Sequence, residues 1–411
     1  MKNKKSFVIG MCTLFALSTT LISCNDDSEV KLANLNVSIN TSESFSGVST
    51  DNIYVYLENT TSQGKDSVLT NVDGVATFLD MAPGTYNLSC MKSLTAQEAS
   101  EASGYYEAIT LNGTKSNISL FGGVDSVDEL VLDGKPSSSL VIKEFYYSGA
   151  NDPSWGIMFK DQFIEIYNNS AEVVYADGLY LASIVPQRNG SSADDVISTL
   201  SFEEFVYADK IAQVPGSGTD NPIQPGESIV IAFDAIDWTD NGVKDFSVDL
   251  SSADFELYAI DWLESLGRTG STWFDLDNAD VPNMNMVYLN VENYGFYSFN
   301  STGASVAILR CDETPSEIIT DPESSDSNPI YYTKLNVADV IDGIDMLANA
   351  DAGAYKKLPA SIDAGFNFVE GSSYTSLSVS RKVAKTMTDG RIIYQDTNNS
   401  SEDFEAGNVF E

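Results

Sequence analysis

The sequence contains no histidine among its 411 residues. This absence excludes Ser-His-Asp and Cys-His catalytic machinery, and every zinc, copper or haem site that depends on an imidazole ligand. Basic residues are also scarce, since 22 Lys and Arg stand against 60 Asp and Glu, a formal net charge of −38. So acidic a chain repels nucleic acid and anionic membrane surfaces, and we expect no nucleic-acid partner.

Reaction-specific motifs are missing as well. The sequence has neither a Gly-x-Ser-x-Gly nucleophile elbow nor a Gly-x-x-x-x-Gly-Lys phosphate loop. Acidic residues are abundant enough for a carboxylate-dependent glycan hydrolase, but no strand-end pair of them stands out. The prediction is therefore a protein that is not an enzyme, with the glycan hydrolase kept as an alternative.

The N-terminus has the pattern of an export signal. Lys2, Lys4 and Lys5 precede an apolar stretch over residues 7–22, and the sequence Leu-Ile-Ser-Cys ends at Cys24. This pattern resembles a bacterial lipobox, which implies a lipoprotein signal peptide over 1–23 and a diacylated Cys24. Residues 24–31 form an acidic tether that resembles the surface-export signal of Bacteroidota lipoproteins. The resemblance implies an outer-membrane, lipid-anchored protein that faces the cell exterior.

Residues 32–134 have the period-two alternation of β-strands, for example at Leu35, Val37 and Ile39. Within the segment 69–86, Asp73-Gly74 predicts a hairpin turn, Phe78 an inward core residue and Pro83-Gly84 a second turn. This segment resembles the transthyretin-like fold of carboxypeptidase-regulatory and collagen-adhesin B-type domains. The resemblance implies a β-sandwich that acts as a stalk and carries no catalytic residues.

Residues 135–139 are a polar linker, and residues 140–411 form the second predicted domain. Its segments 140–149, 161–170, 224–232 and 376–383 resemble the strands of the lamin-tail, immunoglobulin-like β-sandwich. Because that module is much shorter, we expect helical and loop insertions. The fold class is therefore predicted as mainly β, with two β-sandwich domains.

The second half also resembles an uncharacterised family of Bacteroidota surface lipoproteins, through segments 214–218, 249–258, 275–283 and 396–404. The resemblance implies an accessory lipoprotein of an uptake system built around a TonB-dependent transporter. An adhesive or structural surface protein stabilised by calcium is the alternative.

Apolar residues at helical spacing predict two helices inside the second domain. Val337, Val340, Ile341, Ile344 and Leu347 mark the first. Phe202, Phe205 and Val206 mark the second, within residues 198–213.

No cofactor is required by the sequence, but calcium is a candidate because hard cations need oxygen ligands and no histidine. Two acidic clusters contain the candidate ligands, which are Asp234, Asp237 and Asp240 in the first and Asp275, Asp277 and Asp280 in the second. Neither cluster fits the helix–loop–helix calcium pattern. Solvated acidic turns are the alternative interpretation.

Candidate ligand contacts are Trp155, Trp238, Trp273, Arg381 and Lys382. The tryptophans offer stacking surfaces, and the basic pair offers a seat for an anion. The alternatives are core packing for the rings and neutralisation of nearby carboxylates for the basic pair. Cys90 and Cys311, the two cysteines left after Cys12 and Cys24, are expected to be unbridged thiols, since nothing local brings them together.

Overall fold

The computed structural model describes residues 30–103, 109–135, 138–152, 156–185, 204–239, 247–290, 295–322, 324–325, 327, 329–371 and 373–408. The predicted signal peptide and Cys24 lie outside these residues. Within them, no helix is both long enough and apolar enough to cross a membrane.

The predicted first domain is a sandwich of two small sheets. Its described elements are β1 (Ala33–Thr41), β2 (Tyr54–Asn59), β3 (Lys65–Leu69), β4 (Val75–Met81), β5 (Gly84–Leu94), α1 (Ala96–Ser103), β6 (Ile109–Leu120) and β7 (Ser126–Leu132). One sheet has the order β4-β1-β7, with β1 and β7 parallel, and the other has the order β3-β2-β5-β6. Leu35, Val37 and Ile39 point into the core between them, as the alternation predicts.

The Asp73-Gly74 turn forms as predicted but does not make a hairpin. Gly74 has a φ of +72°, and its amide donates to the Asn71 carbonyl. The strands on either side belong to different sheets, because β3 pairs with β2 while β4 pairs with β1. The turn therefore carries the chain across the core, which Phe78 fills with no exposed surface.

The second domain contains the remaining described strands and two short helices. These are β8 (Leu140–Tyr146), β9 (Ala150–Asp152), β10 (Gly156–Met158), β11 (Phe163–Asn168), β12 (Val174–Tyr175), β13 (Tyr180–Ile184), β14 (Phe205–Gln213), β15 (Pro222–Ile223), β16 (Ser228–Ala232), β17 (Phe255–Glu256), α2 (Ile260–Ser265), β18 (Asn285–Leu289), β19 (Ser305–Leu309), β20 (Ile318–Thr320), β21 (Tyr331–Asn336), β22 (Val340–Ile344), β23 (Leu377–Arg381), β24 (Val383–Thr386), β25 (Ile392–Tyr394), α3 (Ser400–Asp403) and β26 (Phe404–Asn408). Short 3₁₀ turns cover Glu43–Phe45, Val337–Asp339 and Ala350–Tyr355.

Two large sheets of this domain pack face to face. One has the order β17-β16-β11-β8-β23-β26, and the other has the order β20-β21-β14-β13-β19-β22, with β18 pairing beside β21 on β14. Ile142 and Ile164 from the first sheet share a buried cluster with Leu181 and Ile308 from the second. The prediction of a mainly β protein is therefore confirmed.

The two predicted core helices are wrong. Residues 205–213 form β14, and residues 337–344 form a 3₁₀ turn followed by β22. The sheet that contains both strands is buried on each face, with Leu358 and Ile362 packed on the side away from the sandwich core. A strand buried on both faces is apolar at most positions, so helical spacing arises by coincidence. Residues 198–203 lie outside the described residues.

The linker anchors the two sandwiches to each other. The Lys135 Nζ donates to the Val337 carbonyl at 2.5 Å, and the Asn112 side chain donates to the Thr397 carbonyl at 2.6 Å. Among the described strands, no sheet combines strands from both sides of the linker. Cys90 and Cys311 are not bridged, in agreement with the expectation from the sequence.

Candidate functional site

Three short segments of the second domain each place an aromatic residue next to a charged one. They are Phe159-Lys160, Phe233-Asp234 and Phe274-Asp275. The Phe159 and Phe233 rings contact each other, and the Phe274 ring joins them through Phe296. Lys160 and Asp275 both lie near Asp234. Two adjoining clusters result, one aromatic and one acidic.

The aromatic cluster is formed by Phe159, Phe233, Phe274 and Phe296. The Phe296 ring lies 5.8 Å from Phe159 and 5.6 Å from Phe274, centroid to centroid, with both pairs stacked. Phe233 lies 5.9 Å from Phe296 in a tilted arrangement. Phe274 is partly exposed, so the cluster runs from the surface inward.

At its inner end lies a cavity of about 250 Å³, which we call the Asp209 cavity. Its described wall residues belong to β14 and to the loops before β11, β19 and β23. They are Phe159, Asp209, Lys210, Phe296, Ser298, Phe299, Asn300, Ser301 and Tyr374. Four aromatic rings therefore face a group of polar side chains.

Asp209 is placed on this wall by a β-bulge. In the pairing of β13 with β14, Ser183 lies opposite Lys210 and Ile184 opposite Ala208, so Asp209 has no partner residue. On the other edge of β14, β21 pairs up to Ala208 and β18 pairs from Lys210 onward. Asp209 is thus omitted from both ladders, and bulges of this kind redirect side chains next to functional sites.

The bulge brings the Asp209 and Lys210 side chains together. The Lys210 Nζ donates to Asp209 Oδ2 at 3.1 Å, and both residues are buried, with 7% and 4% of their surface exposed. Asp209 Oδ1 accepts no hydrogen bond from the described residues. Burial raises the pKa of Asp209, and the Lys210 ammonium opposes that rise.

Tyr374, on the same wall, has a backbone conformation that bulky residues rarely adopt. Its φ is +55°, and its amide donates to the Ser148 carbonyl at 2.7 Å. Left-handed conformations of such residues cost about 1–2 kcal/mol and persist only where the surroundings impose them. This strain at a cavity wall is a further indication of a functional site.

The acidic cluster contains Asp234, Glu256 and Asp275, all without exposed surface. Backbone amides of Leu276, Ala235 and Ala259 donate to one oxygen of each carboxyl group, in that order, at 2.9–3.1 Å. Asp234 Oδ2 and Asp275 Oδ1 accept no hydrogen bond from described residues, and the Lys160 Nζ lies 4.0 Å from Asp234 Oδ2. Burial raises the pKa of Asp234 to about 8 and those of Asp275 and Glu256 to about 7.

The structure brings three of the six predicted calcium ligands near one another, Asp234, Asp275 and Asp277, and Asp277 shares a side-chain hydrogen bond with Glu256. Asp277 also accepts from Asn283. Asp237 instead accepts from Thr239 within a turn, and Asp280 is exposed. Asp240 lies outside the described residues. In that part of the chain no group of three or more acidic or thiol side chains is arranged to hold a metal ion, so calcium binding stays a prediction.

The three candidate tryptophans have different positions. Trp238 is only 6% exposed and packs among apolar residues, and its Nε1 donates to the Asp234 carbonyl at 3.4 Å. Its predicted role as a surface contact is therefore wrong, because the ring belongs to the core. Trp273 is 74% exposed and stays a candidate, while Trp155 lies outside the described residues.

Arg381 is likewise a core residue and not a seat for an external anion. Its guanidinium contacts Asp342 at 2.5 Å and Asp396 at 3.3 Å, and lies 3.7 Å from Asp403. Its Nε also donates to the Ile142 carbonyl at 2.8 Å. Each of the three guanidinium nitrogens thus has a partner inside the protein. Lys382 has a partly exposed side chain that donates to the Glu402 carbonyl.

One feature of the sequence could have predicted the Asp209 cavity. Asp209 and Lys210 interrupt the otherwise apolar strand β14, where a charged pair needs a structural or functional reason. The bulge that unites them has no recognisable sequence pattern.

The fold and site define a two-sandwich β protein with an aromatic-walled cavity in its larger domain. Residues 224–410 match the family described as "Protein of unknown function (DUF4876)". The crystal structure of a DUF4876 family protein from Bacteroides thetaiotaomicron VPI-5482 is similar in fold, with 24% identity and a TM-score of 0.54. That likeness covers 92% of this chain and 95% of the other.

Two other solved structures are too different to support an argument. A DUF3823 family protein from Bacteroides ovatus ATCC 8483 has 15% identity, covers 49% of this chain and 98% of its own, and has a TM-score of 0.16. Fervidolysin from Fervidobacterium pennivorans, a keratinolytic enzyme related to subtilisin, has 12% identity, coverages of 49% and 28%, and a TM-score of 0.18. No curated protein matches this chain.

The Arg381 contacts generate a first prediction. Arg381→Met is expected to lower the free energy of unfolding by about 3–5 kcal/mol, because it leaves buried carboxylates without their counter-charge. The neighbouring Lys382→Met is the matched control and is expected to change it by less than about 1 kcal/mol. Urea unfolding followed by circular dichroism measures both. Equal stability of the Arg381→Met protein and the wild type would refute this role.

The acidic cluster generates a prediction about pH. A carboxyl group whose pKa is higher in the folded state holds its proton there while the unfolded chain releases it. Stability is therefore expected to fall as pH rises from about 4 through 8. Asp234→Asn, which has no proton to lose, is expected to reduce this fall by at least about 1 kcal/mol between pH 5 and pH 9.

Urea unfolding at pH 5, 7 and 9 measures the effect, with Asp280→Asn at an exposed position as the control. An Asp234→Asn protein whose pH dependence matched that of the wild type would contradict the assignment.

Proposed function

We propose that this protein is a non-enzymatic surface lipoprotein that binds a small ligand in the Asp209 cavity. The observation that carries the proposal is the wall of that cavity, which combines four aromatic rings with a buried Asp209–Lys210 pair. One Asp209 oxygen on this wall accepts no hydrogen bond from the described residues. Ligand sites in proteins commonly combine apolar walls with a few buried polar groups in this way.

Binding suits this cavity better than hydrolysis. Glycan hydrolases need two facing carboxyl groups, one as the acid and one as the base or nucleophile. Among the described residues of the wall, Asp209 is the only acid, and Lys210 already pairs with it. The described part of this wall therefore offers the hydrolase alternative no second carboxyl group.

The location of the protein is part of the proposal. The lysines before the apolar stretch and the Cys24 motif support a lipid anchor in the outer membrane, and the acidic residues that follow support display on the cell exterior. We propose that the first sandwich is the transthyretin-like stalk and the second an expanded lamin-tail-like domain that carries the cavity.

The partner is proposed as a TonB-dependent transporter that receives the bound ligand. Its support is the resemblance to accessory lipoproteins of uptake systems, which is an association and not a contact. The calcium-stabilised adhesive protein is the second candidate. The observation that favours it is one buried oxygen each of Asp234 and Asp275 that accepts no hydrogen bond from the described residues.

The anchor generates a prediction about location. Full-length protein in the native host is expected in the outer-membrane fraction and open to protease added to intact cells. Cys24→Ala is expected in the soluble fraction, since it removes the acylated thiol, while the control Cys311→Ala stays in the membrane. Fractionation and immunoblotting measure this. A Cys24→Ala protein that remained in the membrane would overturn the anchor, and protection from protease would overturn surface exposure.

The cavity generates a prediction about ligands. Detergent-solubilised full-length protein is screened by thermal shift against neutral sugars, small aromatic compounds and amino acids. At least one compound is expected to raise Tm, because a ligand at 100 times its Kd stabilises the folded state by about 2.7 kcal/mol.

Ser298→Phe, which fills the cavity, is expected to abolish that shift. The control Ser265→Phe, on the exposed side of α2, is expected to keep it. The proposal fails if no class of compound raises Tm, or if the shift survives in the Ser298→Phe protein.

A further inference from the structure

We infer that one end of the first sandwich, which we call the apolar tip, lies in the headgroup region of a lipid bilayer. The tip consists of Val30, Leu32, Phe121 and Val124. This inference rests on the proposed lipid anchor at Cys24 and adds a second contact with the same membrane. It is carried by the exposure of the four side chains, by their position at one end of the domain, and by the short chain between them and the anchor.

The tip presents four apolar side chains to water. Val30 is 67% exposed, Leu32 46%, Phe121 66% and Val124 56%. Single exposed apolar residues are common on soluble proteins, but a contiguous patch of them marks a contact with a partner or a lipid surface. Two segments, residues 30–32 and 121–124, must meet for the four to form such a patch.

Hydrogen bonds join these two segments. The Val124 amide donates to the Phe121 carbonyl at 3.1 Å, which closes a tight turn with those two side chains at its ends. The amide of Gly123, inside the turn, donates to the Leu32 carbonyl at 3.1 Å. The turn therefore lies against the segment that leads into β1, and its apolar residues adjoin Leu32.

The contact between the two segments is close. A β-carbon at Gly122 would lie 2.7 Å from the Lys31 carbonyl oxygen and 3.1 Å from Pro83 Cγ, so only glycine allows this approach. Lys31 itself is exposed between Val30 and Leu32. A lysine at the edge of an apolar surface can lay its methylene chain on that surface and extend its ammonium to lipid headgroups.

The tip is the end of the sandwich nearest the proposed anchor. Cys24 lies six residues before Val30, and β1 leads away from the tip from Ala33 onward. Because an extended chain spans at most about 3.6 Å per residue, Val30 lies within about 22 Å of Cys24. Acyl chains on that cysteine would hold it at the bilayer surface, and the tip would lie beside it.

The opposite end of the sandwich leads to the second domain. β1 and β7 run parallel away from the tip, with Thr41 opposite Leu132, and the chain continues from β7 into the linker. There the Lys135 Nζ donates to the Val337 carbonyl. β1 has nine residues, and a strand of that length spans about 26 Å. Contact of the tip with lipid would therefore hold the domain with the cavity away from the bilayer.

The charges around the tip favour a zwitterionic lipid surface. The net charge of −38 repels anionic lipids, so the attraction must come from the apolar side chains. Two acidic residues close to the tip lie at the level of Asn34 on β1. The Asn34 amide donates to Asp125 Oδ1 at 2.9 Å, and the Asp80 amide donates to Asn34 Oδ1 at 3.2 Å.

Site-directed fluorescence tests the inference. Full-length protein with Cys311→Ser and Val124→Cys is labelled with a polarity-sensitive fluorophore and reconstituted into phosphatidylcholine vesicles that contain a lipid-borne quencher. Cys90 is buried and does not compete for the label. The label at position 124 is expected to be quenched at least about threefold more than a label at position 72, because the tip enters the headgroup region.

Val72→Cys is the matched control, since Val72 is a valine with 87% of its surface exposed. It lies in the turn before β4, where the Ile39 amide donates to the Gly74 carbonyl at 2.8 Å. Ile39 is near the end of β1 that leads to the second domain, so position 72 is remote from the tip.

A charge at the tip gives a second measurement. Phe121→Glu is expected to reduce the quenching of the label at position 124 by at least about twofold, because a carboxylate is unfavourable among lipid chains. Val72→Glu is expected to leave that quenching unchanged. Circular dichroism confirms that both proteins are folded.

Three outcomes would overturn the inference. If the protein floats with the vesicles but the labels at 124 and 72 are quenched equally, the anchor stands and the lipid contact of the tip is wrong. If the protein does not float, the anchor fails and the tip contact fails with it. If the label at 124 is shielded from water but not quenched by lipid, a second copy of the chain covers the tip.

Discussion

The larger sandwich depends on one buried guanidinium. Arg381 joins the Ile142 carbonyl on β8 to Asp342 on β22, and its Nη1 donates to the Gln395 carbonyl and to Asp396 beyond β25. These residues are distant in the chain, and none could retain its charge or polarity in the interior without the others. The same region holds the first sandwich, since Thr397 accepts from Asn112 and Asp396 from the Ser138 amide. One ionic junction thus closes the core and attaches the neighbouring domain.

The cavity depends on the β-bulge in β14. A regular strand would direct Asp209 and Lys210 to opposite faces of a sheet that is buried on both, where neither charge could be paired. The bulge in β14 removes Asp209 from the ladder and turns it toward Lys210. On the other edge of β14, the partner strand changes from β21 to β18 at the same position, so neither strand pairs with Asp209. The bulge therefore has two effects. It brings Asp209 and Lys210 into contact, and it places Asp209 on the cavity wall.

Acidic residues serve two purposes in this chain. Those on the surface give the chain its large negative charge. Those inside are held by backbone amides, as in the acidic cluster of Asp234, Glu256 and Asp275, where burial raises each pKa. Sequence motifs rich in Asp and Asn predicted this region as a cation site. In the structure, backbone amides donate to Asp234 and Glu256, and the Lys160 Nζ lies 4.0 Å from Asp234 Oδ2.

The sequence by itself determined the β class, the inward residues of the first sandwich such as Phe78, and the turn at Gly74, because alternation and left-handed φ are local properties. It also excluded histidine chemistry outright. Only the tertiary structure decided that Trp238 and Arg381 are buried, that residues 205–213 and 340–344 are strands, and that Asp209 lines a cavity. Those outcomes depend on which elements cover each face of a sheet and where a strand bulges, and such contacts join residues too distant in the chain to leave a local pattern.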